Sequence, residues 1–157
     1  EILRCLVGSE MCIRDSESIV NHMKKAHNLL IGKNTAEDIK IKIGSVSSYD
    51  GEGAMDVKGR NLTDGLPKSV EITSAEIRDV LAEPVSKIIA AIKETLEVTL
   101  PELAADIIDR GIYLAGGSSQ LRGLPELISK ETKMQVHIPE KPLDCVALGT
   151  SIKLRRA

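Results

Sequence analysis

The sequence predicts an α/β fold, and three observations carry that prediction. Apolar residues recur at helical spacing along several segments, most fully at Ile77, Val80, Leu81, Val85, Ile88, Ile89, Ile92 and Leu96. Two alternating segments, 54–59 and 67–72, flank a turn containing Asn61 and Asp64-Gly65, the pattern of an antiparallel hairpin. Toward the C-terminus, helix, strand, helix, strand and helix follow one another, which puts strands side by side in an α/β layer.

Composition narrows the function classes. The 157 residues suffice for one domain or two small lobes. Apolar residues make up 42%, but with two Tyr and no Phe or Trp the core must be aliphatic. A net charge of −2 argues against a nucleic-acid partner, because no basic footprint is present. Cys5, Cys12 and Cys145 are scattered, with no CxxC or Cys/His cluster, so neither zinc nor a disulfide framework is expected. That usage fits a reducing cytoplasm. No apolar run reaches the roughly 18 residues of a membrane span. Residues 1–8 lack the charged start and cleavage pattern of a signal peptide. The first residue is not Met, so the chain reads as a fragment.

Taken in order, residues 1–16 show no clean periodicity, and the stretch from Cys5 to Asp15 looks like translated adaptor sequence. The segment reads as a non-native scar and is set apart from the fold. Ile19, Val20, Met23 and Ala26 then mark a helix ending near Asn28. Leu29-Leu30-Ile31-Gly32 reads as an apolar clasp closing it. Thr35, with Asp38 three positions on, reads as the cap of a second helix carrying Ala36, Ile39 and Ile43 on one face and stopped by Gly44. Residues 45–53 are polar and glycine-containing, a loop before the hairpin. Thr73 or Ser74 caps the longest helix, which Pro84 is expected to kink or split. Pro101 opens another helix, and Gly111 ends it.

Ile112 to Ala115 reads as a short buried strand, followed by Gly116-Gly117-Ser118-Ser119 and a helix through Leu121, Leu124, Leu127 and Ile128. Glycines at such a turn let backbone N–H groups approach a ligand, and a helix starting just after adds its positive end. The turn suits the sugar or phosphate side of a nucleotide. It is neither GxGxxG nor a P-loop, and a turn needing glycine only for its backbone angles would look the same. A strand around Met134–Ile138 and a last helix, capped by Asp144 and broken by Gly149, complete the chain.

Three stretches together resemble one family: Asn28 to Gly44, Val57 to Lys68, and Pro101 to Ile112 running into the Gly-Gly turn. They are similar to the MreB family of bacterial actin-like rod-shape proteins, over about Glu17 to Leu154. The resemblance implies an actin-like, ribonuclease H-like ATPase fold with two lobes around a nucleotide cleft. It assigns this chain the outer subdomain of the second lobe (17–110, with connecting helices) and the C-terminal part of its inner subdomain (111–157). The family's upstream half, with both phosphate loops and the catalytic carboxylate, has no counterpart in these residues. Two adenosine-side segments carry over: Glu37-Asp38-Ile39-Lys40, with a carboxylate for ribose hydroxyls and a lysine stem for the adenine face, and Gly116-Gly117-Ser118-Ser119. The family more often has glycine where Ser118 stands.

Residues alone support plainer readings. Glu37 and Lys40 form at least a solvated helical pair. His22, His27 and His137 read as surface residues without a partner at ligand spacing, and Cys145 as a small buried apolar residue. Glu52/Asp56 and Asp106/Asp109 read as solvated faces.

The expected function is therefore that of part of a filament-forming cytoskeletal ATPase that sets rod shape by organising cell-wall synthesis. ATP with Mg²⁺ is its implied cofactor, other copies of itself and a membrane-anchored adaptor its partners, and the cytoplasmic side of the membrane its place. No catalytic or metal-binding residue is assigned, and the chain alone is expected not to hydrolyse ATP. The alternative is a non-catalytic assembly module of an actin-like or chaperone-type ATPase. A chaperone or sugar kinase is disfavoured by Gly59-Arg60-Asn61 and Ala104 to Ile108, which look like the rod-shape branch.

Overall fold

The structure is a computed structural model that describes residues 7–155, with side chains from residue 15 onward. Among the described residues there are six α-helices and five strands, and the chain divides into two compact units, Glu1–Ile88 and Ile89–Ala157. The division falls within the longest helix.

In the first unit, α1 (Val7–His27) packs on α2 (Lys33–Ile43). Ile19 and Met23 on one helix and Ala36, Ile39 and Ile43 on the other are buried, as the helical spacing predicts. The segment read as a scar lies partly outside the described residues. Within them, α1 already runs through it, and Asp15 and Ser16 are buried. Asn28 ends α1 with φ 53°.

Next comes β1 (Leu29–Leu30), a strand the sequence reading takes for a helix-closing clasp. It is the edge of an antiparallel sheet ordered β1-β2-β3, in which Leu29 faces Asn61 and Leu30 faces Arg60. The hairpin β2 (Ala54–Asn61) and β3 (Pro67–Thr73) forms as expected, with Val57 opposite Val70 and Met55 opposite Ile72. Gly59 permits the close approach of β1: a Cβ there would lie 2.6 Å from the carbonyl oxygen of Leu30.

Helix α2 is capped differently from the expectation. Its N-cap is Gly32, with no side-chain cap, and Thr35 lies inside the first turn. The Ala36 N–H instead donates to the Gly32 carbonyl. Gly44 does end the helix, its N–H donating to the Lys40 carbonyl.

Helix α3 (Ser74–Glu97) runs through Pro84 as one element, so of the expected kink or split the split does not occur. Leu81 and Val85 on either side are buried, and that packing holds the turn that lacks a donor. Thr73 caps α3, its Oγ1 accepting the Glu76 N–H at 3.3 Å. Fully buried Ser74 ties the 45–53 loop to the same end. Its hydroxyl donates to the Gly53 carbonyl at 3.0 Å, accepts the Gly53 N–H at 3.2 Å, and lies 3.1 Å from the Tyr49 hydroxyl.

The second unit holds α4 (Pro101–Arg110), β4 (Ile112–Tyr113), a 3-10 turn (Gly117–Gln120), α5 (Leu124–Thr132), β5 (Val136–His137) and α6 (Cys145–Arg155). Strands β4 and β5 lie side by side, as the helix–strand alternation predicts, and they pair in parallel. Leu121, Leu124 and Ile128 form its small core. Gly149 does not break α6, whose sequence carries no buried residue to fix a bend there.

Candidate functional site

The two sequence-predicted segments lie in different units. On α2, Glu37 and Asp38 are exposed, whereas Ile39 is fully buried and Lys40 is 8% exposed. Residues three and four apart share a helix face, so Ala36, Ile39, Lys40 and Ile43 turn inward together. Lys40 is not paired with Glu37 as helical spacing would allow. Its Nζ lies 3.9 Å from Oδ2 of Asp15, itself almost wholly buried. Burial pushes the Asp15 carboxyl above its ordinary range, against the opposing attraction of Lys40.

In the second unit, Gly116 has φ 90° and ψ 175°, a region open essentially to glycine alone. Its N–H donates to the Pro142 carbonyl at 2.8 Å. Nothing lies within 4 Å of where a Gly116 Cβ would be, and a Gly117 Cβ would meet only Leu143 at 3.7 Å. The space where these side chains would stand is thus largely open. Ser119 is buried, and its hydroxyl donates to the Gly116 carbonyl at 2.6 Å, closing the bend on itself. Ser118 is half-buried, and its carbonyl accepts the Leu121 N–H. The helix expected directly after the glycines starts later. A 3-10 turn intervenes, and left-handed Gly123 caps α5 at Leu124. The dipole of α5 therefore begins seven residues beyond Gly117, not at it.

One cluster escapes sequence reasoning. His22 and His27 are not partnerless surface residues: both Nε2 atoms lie 2.6 Å from the same Oε1 of Glu76. The histidines are five apart on α1, and the carboxylate comes from the first turn of α3, 49 and 54 positions away. No local spacing encodes that meeting. Burial raises the Glu76 carboxyl, but the two hydrogen bonds and the charge of the histidines outweigh it and hold the group below its ordinary value. Glu52, read as a solvated carboxylate, forms an ion pair with Arg78. Asp106 and Asp109 are exposed, as expected. Cys145 is a free thiol, half-buried rather than buried, donating to the Lys141 carbonyl. His137 stacks at a tilt on Tyr113, with ring centres 5.0 Å apart.

The family described as "MreB/Mbl protein" matches residues 8–157. Over 136 residues the chain is 44% identical to the cell shape-determining protein Mbl of Bacillus subtilis, covering 87% of this chain and 41% of Mbl. It is 43% identical to the cell shape-determining protein MreB of Escherichia coli, covering 39% of that protein. Among solved structures it is similar to MreB5 of Spiroplasma citri bound to AMPPNP, with a TM-score of 0.85 and 38% identity over 90% of this chain and 42% of that one. The ADP-bound form of MreB5 gives a TM-score of 0.84. A MamK double helical filament shares the fold, with a TM-score of 0.62 at 20% identity. The chain thus spans about two fifths of the length of the relatives it matches.

Proposed function

The chain belongs to the MreB/Mbl family of actin-like, cell-shape-determining proteins, and we propose that it contributes the adenosine side of an ATP site to a filament-forming protein of that family. The observation that carries this reading is the match to MreB5, whose structure holds AMPPNP, over 90% of the chain. Glu37 and Asp38 present exposed carboxylates suited to ribose hydroxyls, while buried Ile39 and Lys40 fix the helix that carries them. Gly116 and Gly117, with no side chain filling the bend, admit the nucleoside against backbone, and Ser118 and Ser119 shape it. Bound ATP would bring its phosphates and Mg²⁺, and hydrolysis needs groups that hold both and polarise a water. These residues supply no such set, so the chain alone does not turn over ATP.

We further place residues 17–110 in the outer and 111–157 in the inner subdomain of the second lobe. Partners are other copies in a filament and a membrane-anchored adaptor, with the protein on the cytoplasmic face of the membrane. Among the described residues no helix is long and apolar enough to cross a membrane.

The test is a chimera in which this chain replaces the matching part of B. subtilis Mbl. The chimera should bind AMPPNP, lose that binding on Gly116→Val, and restore shape to cells lacking Mbl. A folded chimera with no affinity for the nucleotide would overturn the reading. Phosphate release by the isolated chain at the rate of an intact relative would overturn the claim that it lacks turnover.

A further inference from the structure

Among the described residues, one group of three metal-ligating side chains converges: His22, His27 and Glu76, with their ligand atoms all within 4.8 Å of one another. The three side chains are 28%, 24% and 26% exposed, so they are held by packing yet reachable from solvent. Two imidazoles and one carboxylate are the donor set of a three-residue zinc site whose fourth position is left to water. Nitrogen donors favour borderline transition ions over Mg²⁺ or Ca²⁺.

We propose that His22, His27 and Glu76 form a binding site for a divalent transition ion of the zinc class, joining the end of α1 to the start of α3. The geometry needs little change. At zinc distances of about 2.0–2.1 Å, neighbouring tetrahedral ligand atoms lie roughly 3.3 Å apart. The Glu76 oxygen therefore has to withdraw from each Nε2 by less than about 1 Å, and the two Nε2 atoms, which lie within 4.8 Å of each other, settle at the same spacing. In the metal-free cluster a carboxylate oxygen can only accept, so each Nε2 carries a proton and donates. On binding, each imidazole presents its Nε2 lone pair instead, by losing that proton or moving it to Nδ1. Both states bridge the same two helices, and the site stands on elements whose positions are otherwise fixed. Ile19 and Met23 bury α1, Ile77 buries the first turn of α3, and Thr73 caps it.

The test uses the untagged full chain, stripped with a chelator and titrated with ZnCl₂ against a chromogenic competitor, then with Co²⁺. One equivalent should bind, and the cobalt spectrum should show tetrahedral or five-coordinate bands without thiolate charge transfer. The variant H22Q/H27Q keeps side-chain N–H donors toward Glu76 but offers poor ligands, so it should stay folded by circular dichroism and lose at least tenfold in zinc affinity. E76Q should lose affinity as well. No binding by the wild-type chain overturns the proposal and leaves a hydrogen-bonded clamp. Unchanged affinity in H22Q/H27Q, or a thiolate signature pointing to Cys5, Cys12 or Cys145, overturns it too.

Discussion

Residues 1–88 and 89–157 are built of similar material but bury it differently. Of the buried apolar side chains among the described residues, twelve lie in the first unit and three in the second. The large apolar side chains left exposed divide the other way, three against eleven. Helix α3 displays the contrast along its own length. Ile77, Leu81 and Val85 are buried, whereas Ile88, Ile89, Ile92 and Leu96 on the same stripe are only half-covered. Helix α4 has a marked apolar face and no buried residue at all. An apolar stripe is written in the sequence, but its burial depends on what there is to pack against. Pattern predicts a helix well and predicts its environment poorly.

Truncating matched side chains in each unit should give the largest contrast between them. Ile39→Ala or Ile77→Ala should cost about 2–5 kcal/mol, through lost burial and the cavity left behind. Ile108→Ser, at a position 64% exposed, and Leu154→Ser, at one 79% exposed, should change stability by less than about 0.5 kcal/mol. The two serine variants should also reduce self-association in sedimentation. Denaturant midpoints check all four. If Ile108→Ser proves as costly as Ile77→Ala, the second unit is better packed than its exposure indicates.

A smaller effect tests the polar side of the first unit. Ser74→Ala leaves the Gly53 N–H and the Tyr49 hydroxyl without this buried partner, which should cost about 1–3 kcal/mol. The Gly53 amide should then exchange faster with solvent while the hairpin amides do not. Equal acceleration across β2 and β3 would show that Ser74 supports the whole sheet rather than one loop.

The buried Asp15–Lys40 pair makes the first unit's stability depend on pH. The folded Asp15 carboxyl lies above its ordinary 3.8, so the native state holds this proton to higher pH than the unfolded chain does. Its contribution is therefore greatest below 3.8. It falls as pH rises toward the folded value and levels off above it. The double variant D15N/K40M, which removes both buried charges, should flatten that fall without loss of stability at neutral pH. Urea midpoints between pH 3 and pH 7 give the slope. An unchanged slope would assign it to other carboxylates.

Much of the fold is legible in the sequence because most elements carry local signals. Helical stripes and the alternating hairpin stand where the pattern puts them, and β4 and β5 lie side by side after Gly111, but the strand expected over Ile112–Ala115 is only Ile112–Tyr113 and Tyr113 is exposed rather than buried. What is not legible depends on partners far along the chain. Leu29-Leu30 is a strand only because Arg60 and Asn61 pair with it. Thr35 fails as a cap because the buried positions Ala36, Ile39 and Ile43 set the phase of α2, and the helix begins at Lys33. Pro84 and Gly149, both local breakers, leave their helices unbroken. The candidate site divides in the same way. Gly116 carries a signal readable from residue type, and its left-handed backbone agrees with it. Glu37 and Lys40 look equivalent in sequence, but one faces solvent and the other is buried against Asp15. The His22–His27–Glu76 cluster spans 54 positions and has no local signal at all.

The smallest expected effect separates burial from ion pairing as the source of order in the second unit. Lys93 on α3 donates to Glu131 on α5 at 2.6 Å, and both side chains are well exposed. That hydrogen bond, with the lysine charge, holds the Glu131 carboxyl below its ordinary value. Any stabilisation it gives is present above 4.5 and lost as pH falls through the folded value. An exposed pair, however, gains little over solvation and is screened by salt. Glu131→Gln should therefore leave the unfolding midpoint unchanged within error at physiological ionic strength, with a small loss emerging only at low salt. Leu124→Ala or Ile128→Ala in the same helix should instead unfold the unit, because these side chains and Leu121 make up its small core. If Glu131→Gln proved as damaging as Ile128→Ala, the sparse core would not be what orders these residues. The two units would then differ in the kind of force that holds them, and not only in how much apolar surface they bury.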